Sequence, residues 1–237
     1  MKLYSKYPKH FVAVDCVIFG YRNNELCLLL YPRGFEPAQG NWSLMGGFVK
    51  ETESAGDAAK RVLYSTTGLQ DIFLEQVATF SAPNRDTEAR VISIAHYALI
   101  RIEEQDELLV RKHGAHWWPI TELPKMIFDH EEIAQKALEK LQQKAGYSIV
   151  GKELLPEKFT LMQLRKLYEA IFQKKFDPGN FRKKILSLDT LQRLNTKDYS
   201  ESKKGAFYYK CKYDSKTEKQ KKSLNQKTGN NKSKTYI

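Results

Sequence analysis

Apolar residues recur near the start of the chain with the period of a β-strand. Between Phe11 and Phe19 they occupy alternate positions at Val12, Val14, Cys16 and Ile18, which predicts a strand. A polar turn at residues 22–25 leads into a second apolar run. The apolar runs that predict further strands are 26–31, 45–49, 72–80 and 91–102.

Two segments have helical spacing instead. Residues 54–67 bring their alanines, Val62 and Leu63 onto one face, and Gly68 follows where a left-handed cap is expected. A second helix is predicted from Asp129 to about residue 144, because its apolar residues keep the same spacing. Strands with helices on both sides predict a mixed α/β/α sandwich.

After residue 151 the pattern changes to that of a winged helix-turn-helix. Thr160 can cap a first helix, and Asp177 followed by Pro178 can begin a second. Apolar segments near 191–194 and 206–210, joined by a loop rich in lysine and serine, predict a hairpin. In this arrangement the second helix enters the major groove of DNA and the hairpin lies along the backbone.

The two predicted domains differ in charge. The chain of 237 residues has a formal net charge of +11; residues 152–234 hold 22 Lys or Arg against 9 Asp or Glu, whereas residues 1–150 hold 17 against 19. A basic half beside a near-neutral half points to a polyanion partner, most often nucleic acid. We place the sandwich domain at 1–147 and the winged helix at 152–215, and we expect the lysine-rich tail 216–237 to be disordered.

The basic domain supplies candidates for contact with double-stranded DNA. A charged helix face is commonly just solvated, but here the charge is concentrated on one short helix beside a lysine-bearing hairpin. Asparagine suits adenine and arginine suits guanine at base edges, while lysines contact phosphates. The residues predicted to contact DNA are Thr160, Gln163, Asn180, Arg182, Lys183, Lys184, Lys203 and Lys204.

The cysteines and the N-terminal sequence indicate the cellular compartment of the protein. The 3 cysteines lack metal-binding spacing, and their odd number suits a reducing cytosol. The N-terminus lacks the apolar stretch of a signal peptide, and no apolar run is long enough to span a membrane. We therefore expect a cytoplasmic protein with no membrane partner and no cofactor.

The segment 47–69 carries the frame of a Nudix box without its acidic centre. The frame residues are Gly47, Glu53, Arg61, Leu63, Gly68 and Leu69, and the positions that should be glutamates are Val62, Ser65 and Thr66. In Nudix hydrolases those glutamates hold the divalent cations that activate water, and magnesium requires hard oxygen ligands. We predict no catalytic residue and no metal ion here, and a structural ion pair between Glu53 and Arg61.

The two halves together resemble the Nudix-related transcriptional regulators of the NrtR type. The resemblance rests on residues 154–161, on 128–130 and most specifically on Asn180–Lys184. It implies a homodimer formed mainly through Nudix domains, a palindromic operator, and a small molecule in the former substrate cleft that controls DNA affinity. Within the family, the chain is most similar to the arabinose-responsive branch (AraR), which implies a repressor of L-arabinose use.

The effector is predicted to lie in the former substrate cleft. A sugar needs an aromatic face and polar partners for its hydroxyls, and the loss of metal-binding carboxylates slightly favours an uncharged pentose. ADP-ribose, which the archetype of the family binds, implies instead a regulator of nicotinamide metabolism. The residues predicted to bind the effector are Arg33, Phe35, Trp42, Asn84, Arg85, Asp86 and His130.

Two other classes of protein compete with this hypothesis. An active Nudix pyrophosphatase would have to recruit metal through other acids, such as Glu51, Glu53, Glu103 or Glu104. An RNA- or protein-binding adaptor is the other class, and the absence of evident aromatic stacking platforms in the basic domain argues against single-stranded RNA.

Overall fold

A computed structural model describes residues 4–69, 72–102, 108, 110–200 and 203–212. The chain forms two compact units: Met1–Leu155 with Lys166–Lys175, and Pro156–Arg165 with Phe176–Ile237. The tail that we predicted to be disordered lies outside the described residues, as do Glu103 and Glu104.

The first unit is built on a seven-stranded mixed sheet. Its strands are β1 (Phe11–Arg22), β2 (Glu25–Pro32), β3 (Trp42–Ser43), β4 (Met45–Phe48), β5 (Glu75–Phe80), β6 (Val91–Arg101) and β7 (His116–Pro119). The order is β3-β2-β1-β6-β5, with β4 paired to β1 and β7 paired to β2. The pair β1 and β6 is parallel, and the other pairs are antiparallel.

Helices α1 (Ala55–Thr67) and α2 (His130–Tyr147) cover opposite faces of this sheet. Successive residues of a strand point to opposite faces, so Cys16 packs with Ala59 of α1 whereas Phe19 lies with Ala134 of α2. The predicted mixed α/β/α sandwich is therefore confirmed. Gly68 has the expected left-handed conformation at φ 74°, and its N–H closes the last turn of α1.

The second unit contains a three-stranded sheet with strand order β8-β10-β9 and two helices. Its elements are β8 (Phe159–Thr160), α3 (Leu161–Phe172), α4 (Pro178–Ser187), β9 (Leu191–Asp198) and β10 (Ala206–Cys211). Residues 161–165 of α3 belong to this unit, whereas residues 166–172 group with the first unit. Helix α4 begins as predicted, because the Asp177 side chain accepts the Asn180 N–H and Pro178 occupies the first turn.

The hairpin is longer than the sequence indicated, and one strand was missed. Phe159 and Thr160 were expected to open a helix, yet they first pair with Tyr209 and Tyr208 of β10. A two-residue strand is too short to show alternation, so the pattern gave no signal for it. Among the described residues, no helix combines the length and apolarity needed to cross a bilayer.

Candidate functional site

The Nudix-box frame is present and is held by an ion pair. Arg61 donates from Nη2 to Glu53 Oε1 at 2.5 Å and from Nε to Glu53 Oε2 at 2.9 Å. The same Nη2 also donates to the carbonyl of Phe48 at 2.9 Å, and the Lys50 N–H donates to Glu53 at 2.9 Å. The predicted structural pair is confirmed; it fixes the loop before α1 onto the helix.

Neutral side chains occupy the positions of the metal-binding carboxylates. Val62 is buried, and a Cβ added to Gly47 would lie 2.8 Å from its Cγ2, so apolar packing fills this space. The hydroxyls of Ser65 and Thr66 both donate to the Val62 carbonyl, at 2.9 and 2.8 Å. Among the described residues, no three His, Cys, Asp or Glu side chains are grouped to hold a metal ion. The three positions Val62, Ser65 and Thr66 therefore supply no carboxylate to a metal ion.

The Glu53–Arg61 pair gives a pH-dependent prediction. Hydrogen bonds from Arg61 and from the Lys50 N–H lower the pKa of Glu53 from 4.5 to about 2. Because the folded pKa lies below the unfolded one, we expect the stabilisation from ionised Glu53 to be complete above about pH 4.5 and to be lost as pH falls toward 2.

Titration of the Glu53 side-chain carbon by NMR measures this directly. In Arg61→Gln the pKa of Glu53 should rise toward 4.5, because the hydrogen bonds from Arg61 are the largest cause of the lowered pKa. An unchanged pKa in that variant would show that the pair is not what holds the carboxylate ionised.

A buried charge network stands at the start of α2, on the opposite face of the sheet. Arg85 is 8% exposed and binds Asp129 with two hydrogen bonds, at 2.8 and 2.7 Å. Its Nη2 also lies 3.4 Å from Asp15 Oδ2, which accepts the Ser93 hydroxyl at 2.5 Å. The guanidinium therefore joins the loop before β6 to β1 and to the start of α2.

His130 extends the same network to β3 and β4. Its Nδ1 accepts the Leu44 N–H at 3.1 Å, and its Nε2 lies 3.6 Å from Asp15 Oδ1. Burial lowers the pKa of His130, although Asp15 and Asp129 oppose that shift. A neutral ring that accepts at Nδ1 and carries its proton on Nε2, facing Asp15, satisfies both contacts. The ring acts as a structural link and is 4% exposed.

An arginine between aromatic rings lies beside this network. The Arg33 guanidinium is 3.9 Å from the centre of the Phe35 ring and 5.5 Å from that of Phe128. Phe128 in turn makes an edge contact with His130, with ring centres 6.0 Å apart. Phe128 has φ 50°, a left-handed conformation that is uncommon for a bulky residue and that occurs at functional sites. Phe35 is exposed, so this cluster is open to solvent.

The other predicted effector residues have different surroundings. Trp42 packs edge-on against His116 and Trp118, with ring centres 5.4 and 5.2 Å away, and is half-buried. Asn84 is exposed, and Asp86 accepts the Glu88 N–H at 2.9 Å in a turn. Both flank the buried Arg85 in its loop.

Some of the residues predicted to bind the effector lie close together in the structure, and other residues that were not predicted lie among them. Arg33, Phe35 and His130 are linked through Phe128, and Arg85 reaches His130 through Asp15. The residues that the prediction omitted are Asp15, Ser93, Phe128 and Asp129. A signal existed for Asp15, because a charged residue interrupts an otherwise apolar strand. Two corrections concern Arg85 and His130, which are buried and engaged with protein groups, so we now regard them as supports of the cleft.

The helix predicted to read DNA exposes its polar side. Phe181 and Ile185 of α4 are buried, whereas the predicted DNA contacts on this helix are exposed. These exposed residues are Asn180, Arg182, Lys183 and Lys184. Lys203 and Lys204 are also exposed, in the loop between β9 and β10. Exposed cations on a short helix are suited to contact with a phosphate backbone.

Thr160 and Gln163 hydrogen-bond to each other at the start of α3. The Thr160 hydroxyl accepts the Gln163 N–H at 3.2 Å, and Gln163 Oε1 accepts the Thr160 N–H at 2.8 Å. This reciprocal pair is a capping box for α3. Thr160 is 2% exposed and offers no surface to a duplex, which corrects its inclusion among the DNA contacts.

A Nudix sandwich followed by a winged helix defines a class of DNA-binding regulators that also carry a domain for binding a small molecule. Residues 9–141 match the NUDIX domain, and residues 151–211 match the NrtR DNA-binding winged helix domain. The chain belongs to the NrtR-type Nudix-domain transcriptional regulators.

The chain is similar in sequence and in structure to named proteins of this family. The ADPR responsive transcriptional repressor NtrR of Acinetobacter baylyi is 28% identical over 195 residues, which span 81% of this chain and 78% of the relative. A crystal structure of Shewanella oneidensis NrtR complexed with a 27mer DNA is similar at a TM-score of 0.73, with 30% identity over 85% of this chain and 93% of that one. The ADP-ribose pyrophosphatase of Methanocaldococcus jannaschii is 33% identical over 133 residues, covering 56% of this chain and 76% of that enzyme.

Proposed function

We propose that this protein is a ligand-responsive repressor whose Nudix domain binds ADP-ribose without hydrolysing it. One observation carries the proposal: neutral residues stand at the metal positions of an intact Nudix frame, in a chain that also exposes a basic recognition helix. The Acinetobacter relative, named as an ADPR-responsive repressor, supports ADP-ribose ahead of the pentose that we first favoured.

The cluster around Arg33 has the chemistry to hold a nucleoside diphosphate. Among the described residues Arg33 makes no ion pair, whereas Arg85 is occupied by two carboxylates. A guanidinium binds phosphate oxygens through paired hydrogen bonds. Phe35 offers an exposed ring beside it, on which a base or ribose can pack. In this proposal Arg33 supplies the positive charge that metal ions supply in the hydrolases.

The effector controls DNA binding by its differential affinity for two states of a homodimer. Two recognition helices in a dimer must lie about one DNA turn apart to engage a palindromic operator. A ligand that favours another spacing weakens DNA binding, and a coupling of about 1–3 kcal/mol is enough for regulation. Sedimentation of the purified protein with and without ligand measures the oligomeric state on which this depends.

Calorimetric titration in the presence of a chelator tests the effector. We expect ADP-ribose to bind wild-type protein without metal and to bind Arg33→Gln about tenfold more weakly, since a charge-assisted phosphate contact is lost. Lys60 is exposed on α1, so Lys60→Gln is the matched control and should bind normally. No binding of ADP-ribose to the wild-type protein would overturn the proposal.

L-arabinose is the second candidate effector. The observation that favours it is the same replacement of acidic residues by Val62, Ser65 and Thr66, because an uncharged sugar needs no cation. The same calorimetric assay discriminates between them: saturable binding of L-arabinose without binding of ADP-ribose would establish the sugar. Release of AMP from ADP-ribose with magnesium or manganese would instead establish a pyrophosphatase.

A further inference from the structure

Helix α3 contributes residues to both units of the chain. Residues 161–165 group with the second unit, and residues 166–172 group with the first. The helix is continuous, so its hydrogen-bonded backbone joins these two groups of residues without a break. The contacts that hold residues 166–172 in the first unit are therefore also contacts on the helix that begins in the second.

The Tyr168 hydroxyl ties α3 to the segment that follows α2. It donates to the Ser148 carbonyl at 3.2 Å and accepts the Val150 N–H at 3.2 Å. Tyr168 is 3% exposed, so little water competes for these two hydrogen bonds. A hydroxyl that donates once and accepts once satisfies a backbone carbonyl and a backbone N–H together. Its removal leaves both backbone groups without that partner.

Two further contacts involve the same half of α3. Gln142 of α2 donates from Nε2 to the Ile171 carbonyl at 2.9 Å, in the last turn of α3. A Cβ added to Gly151 would lie 3.0 Å from Leu167 Cδ2, so the chain beyond α2 passes α3 at close range. We call the hydrogen-bonded residues the α2–α3 latch; they are Gln142, Ser148, Val150, Tyr168 and Ile171.

The other end of α2 begins at the cluster that we propose as the effector site. The Phe128 ring lies 5.5 Å from the Arg33 guanidinium and contacts His130, the first residue of α2. The Asp129 side chain makes no capping hydrogen bond to α2, because its carboxylate binds Arg85. The 18 residues of α2 span about 27 Å, so the helix leads from the effector cluster to the latch.

We propose that the α2–α3 latch couples effector binding to DNA affinity, and that Tyr168 is its positioning residue. When Arg33 turns to a diphosphate, its contact with Phe128 changes, and the start of α2 shifts with it. A helix moves largely as one rigid element, so the shift reaches Ser148 and passes through the Tyr168 hydroxyl to α3. This inference rests on the proposed function, because it assigns the route by which the same site regulates DNA binding.

Removal of the Tyr168 hydroxyl should uncouple the two binding events and preserve each of them. Fluorescence anisotropy measures affinity for a duplex selected from a random pool by the wild-type protein, with and without saturating ADP-ribose. ADP-ribose should weaken DNA binding by at least about fivefold in the wild-type protein, and by less than about twofold in Tyr168→Phe. Affinity of Tyr168→Phe for ADP-ribose alone, and for the duplex alone, should stay within about twofold of wild type. Gln142→Met, which removes the amide but keeps the side-chain length, should reduce the response in the same direction.

Tyr97→Phe is the matched control. Tyr97 is also 3% exposed in the first unit, and its hydroxyl donates to Glu75 of β5 at 3.3 Å. Each variant removes one buried hydroxyl, so thermal melting should show a similar loss of stability in both. Tyr97→Phe should nevertheless keep the wild-type response to ADP-ribose. Equal responses in Tyr97→Phe and Tyr168→Phe, whether retained or lost, would overturn the role of the latch.

Amide exchange at Val150, followed by NMR, tests the latch without any ligand. The Val150 N–H should exchange at least about tenfold faster in Tyr168→Phe than in wild type, because its acceptor is removed. The Gly68 N–H, which donates to the Tyr64 carbonyl, is the internal reference and should be unchanged. Equal exchange at Val150 in the two proteins would overturn the proposal.

The wild-type protein separates failure of the latch from failure of the proposed function. If ADP-ribose weakens DNA binding equally in wild type and in Tyr168→Phe, the latch alone is refuted. If ADP-ribose leaves DNA binding by the wild-type protein unchanged, the proposed function fails, and the coupling role of the latch fails with it.

Discussion

Asp129→Ala should destabilise the first unit by about 3–5 kcal/mol, because it removes one partner of a buried ion pair. Arg85 is almost fully buried, and Asp129 supplies two of its hydrogen bonds. Asp15 would remain 3.4 Å away, but it already accepts the Ser93 hydroxyl. Urea unfolding of the purified protein, followed by tryptophan fluorescence, measures the loss.

An exposed pair on the same helix provides the control for Asp129→Ala. Lys136 and Glu139 lie 3.0 Å apart on the solvent face of α2, and Glu139→Ala should cost less than about 0.5 kcal/mol. Equal costs for Asp129→Ala and Glu139→Ala would contradict our account of the network.

Removing two of the three cationic side chains of α4 should have the largest effect on DNA binding. In Arg182→Ala with Lys183→Ala we expect affinity for the selected duplex to fall about 100-fold, since a base-edge contact contributes about 1–3 kcal/mol and a phosphate contact is lost as well. Both side chains are exposed and lie outside the buried stripe of α4, so the fold should persist. Gel-shift titration measures the change.

The matched control removes two lysines from the first unit. Lys60→Ala with Lys136→Ala lowers the net charge by the same amount at exposed helical positions. If this control weakens DNA binding as much as the α4 variant, general electrostatic attraction rather than recognition by α4 explains the affinity.

Elements with a strong period or a capping residue could be predicted from the sequence. The strand β1, the helix between Ser54 and Gly68, and the start of α4 at Asp177 all depend on neighbours in the chain. The pairing of Glu53 with Arg61 was also predictable, because a familiar motif fixes their spacing. Local signals of this kind need no knowledge of the tertiary structure.

Contacts between distant segments could not be predicted in the same way. Arg85 reaches Asp129 across 44 positions and Asp15 across 70, and nothing near any of them specifies a partner. The stacking of Arg33 on Phe128 depends on a left-handed backbone conformation at a residue that seldom adopts one. The sequence therefore predicted that the effector-binding residues lie in loops near a cleft, but it could not distinguish the buried Arg85 and His130 from the exposed Phe35.

The most direct test follows DNA release and ligand integrity in one sample. ADP-ribose is added to the complex of protein and fluorescent operator duplex, once with magnesium and once with a chelator, and the ligand is then recovered by chromatography. Our account predicts that the duplex is released to the same extent in both and that ADP-ribose is recovered intact. Conversion of ADP-ribose to AMP and ribose 5-phosphate with magnesium, or a bound duplex that no concentration of effector affects, would contradict it.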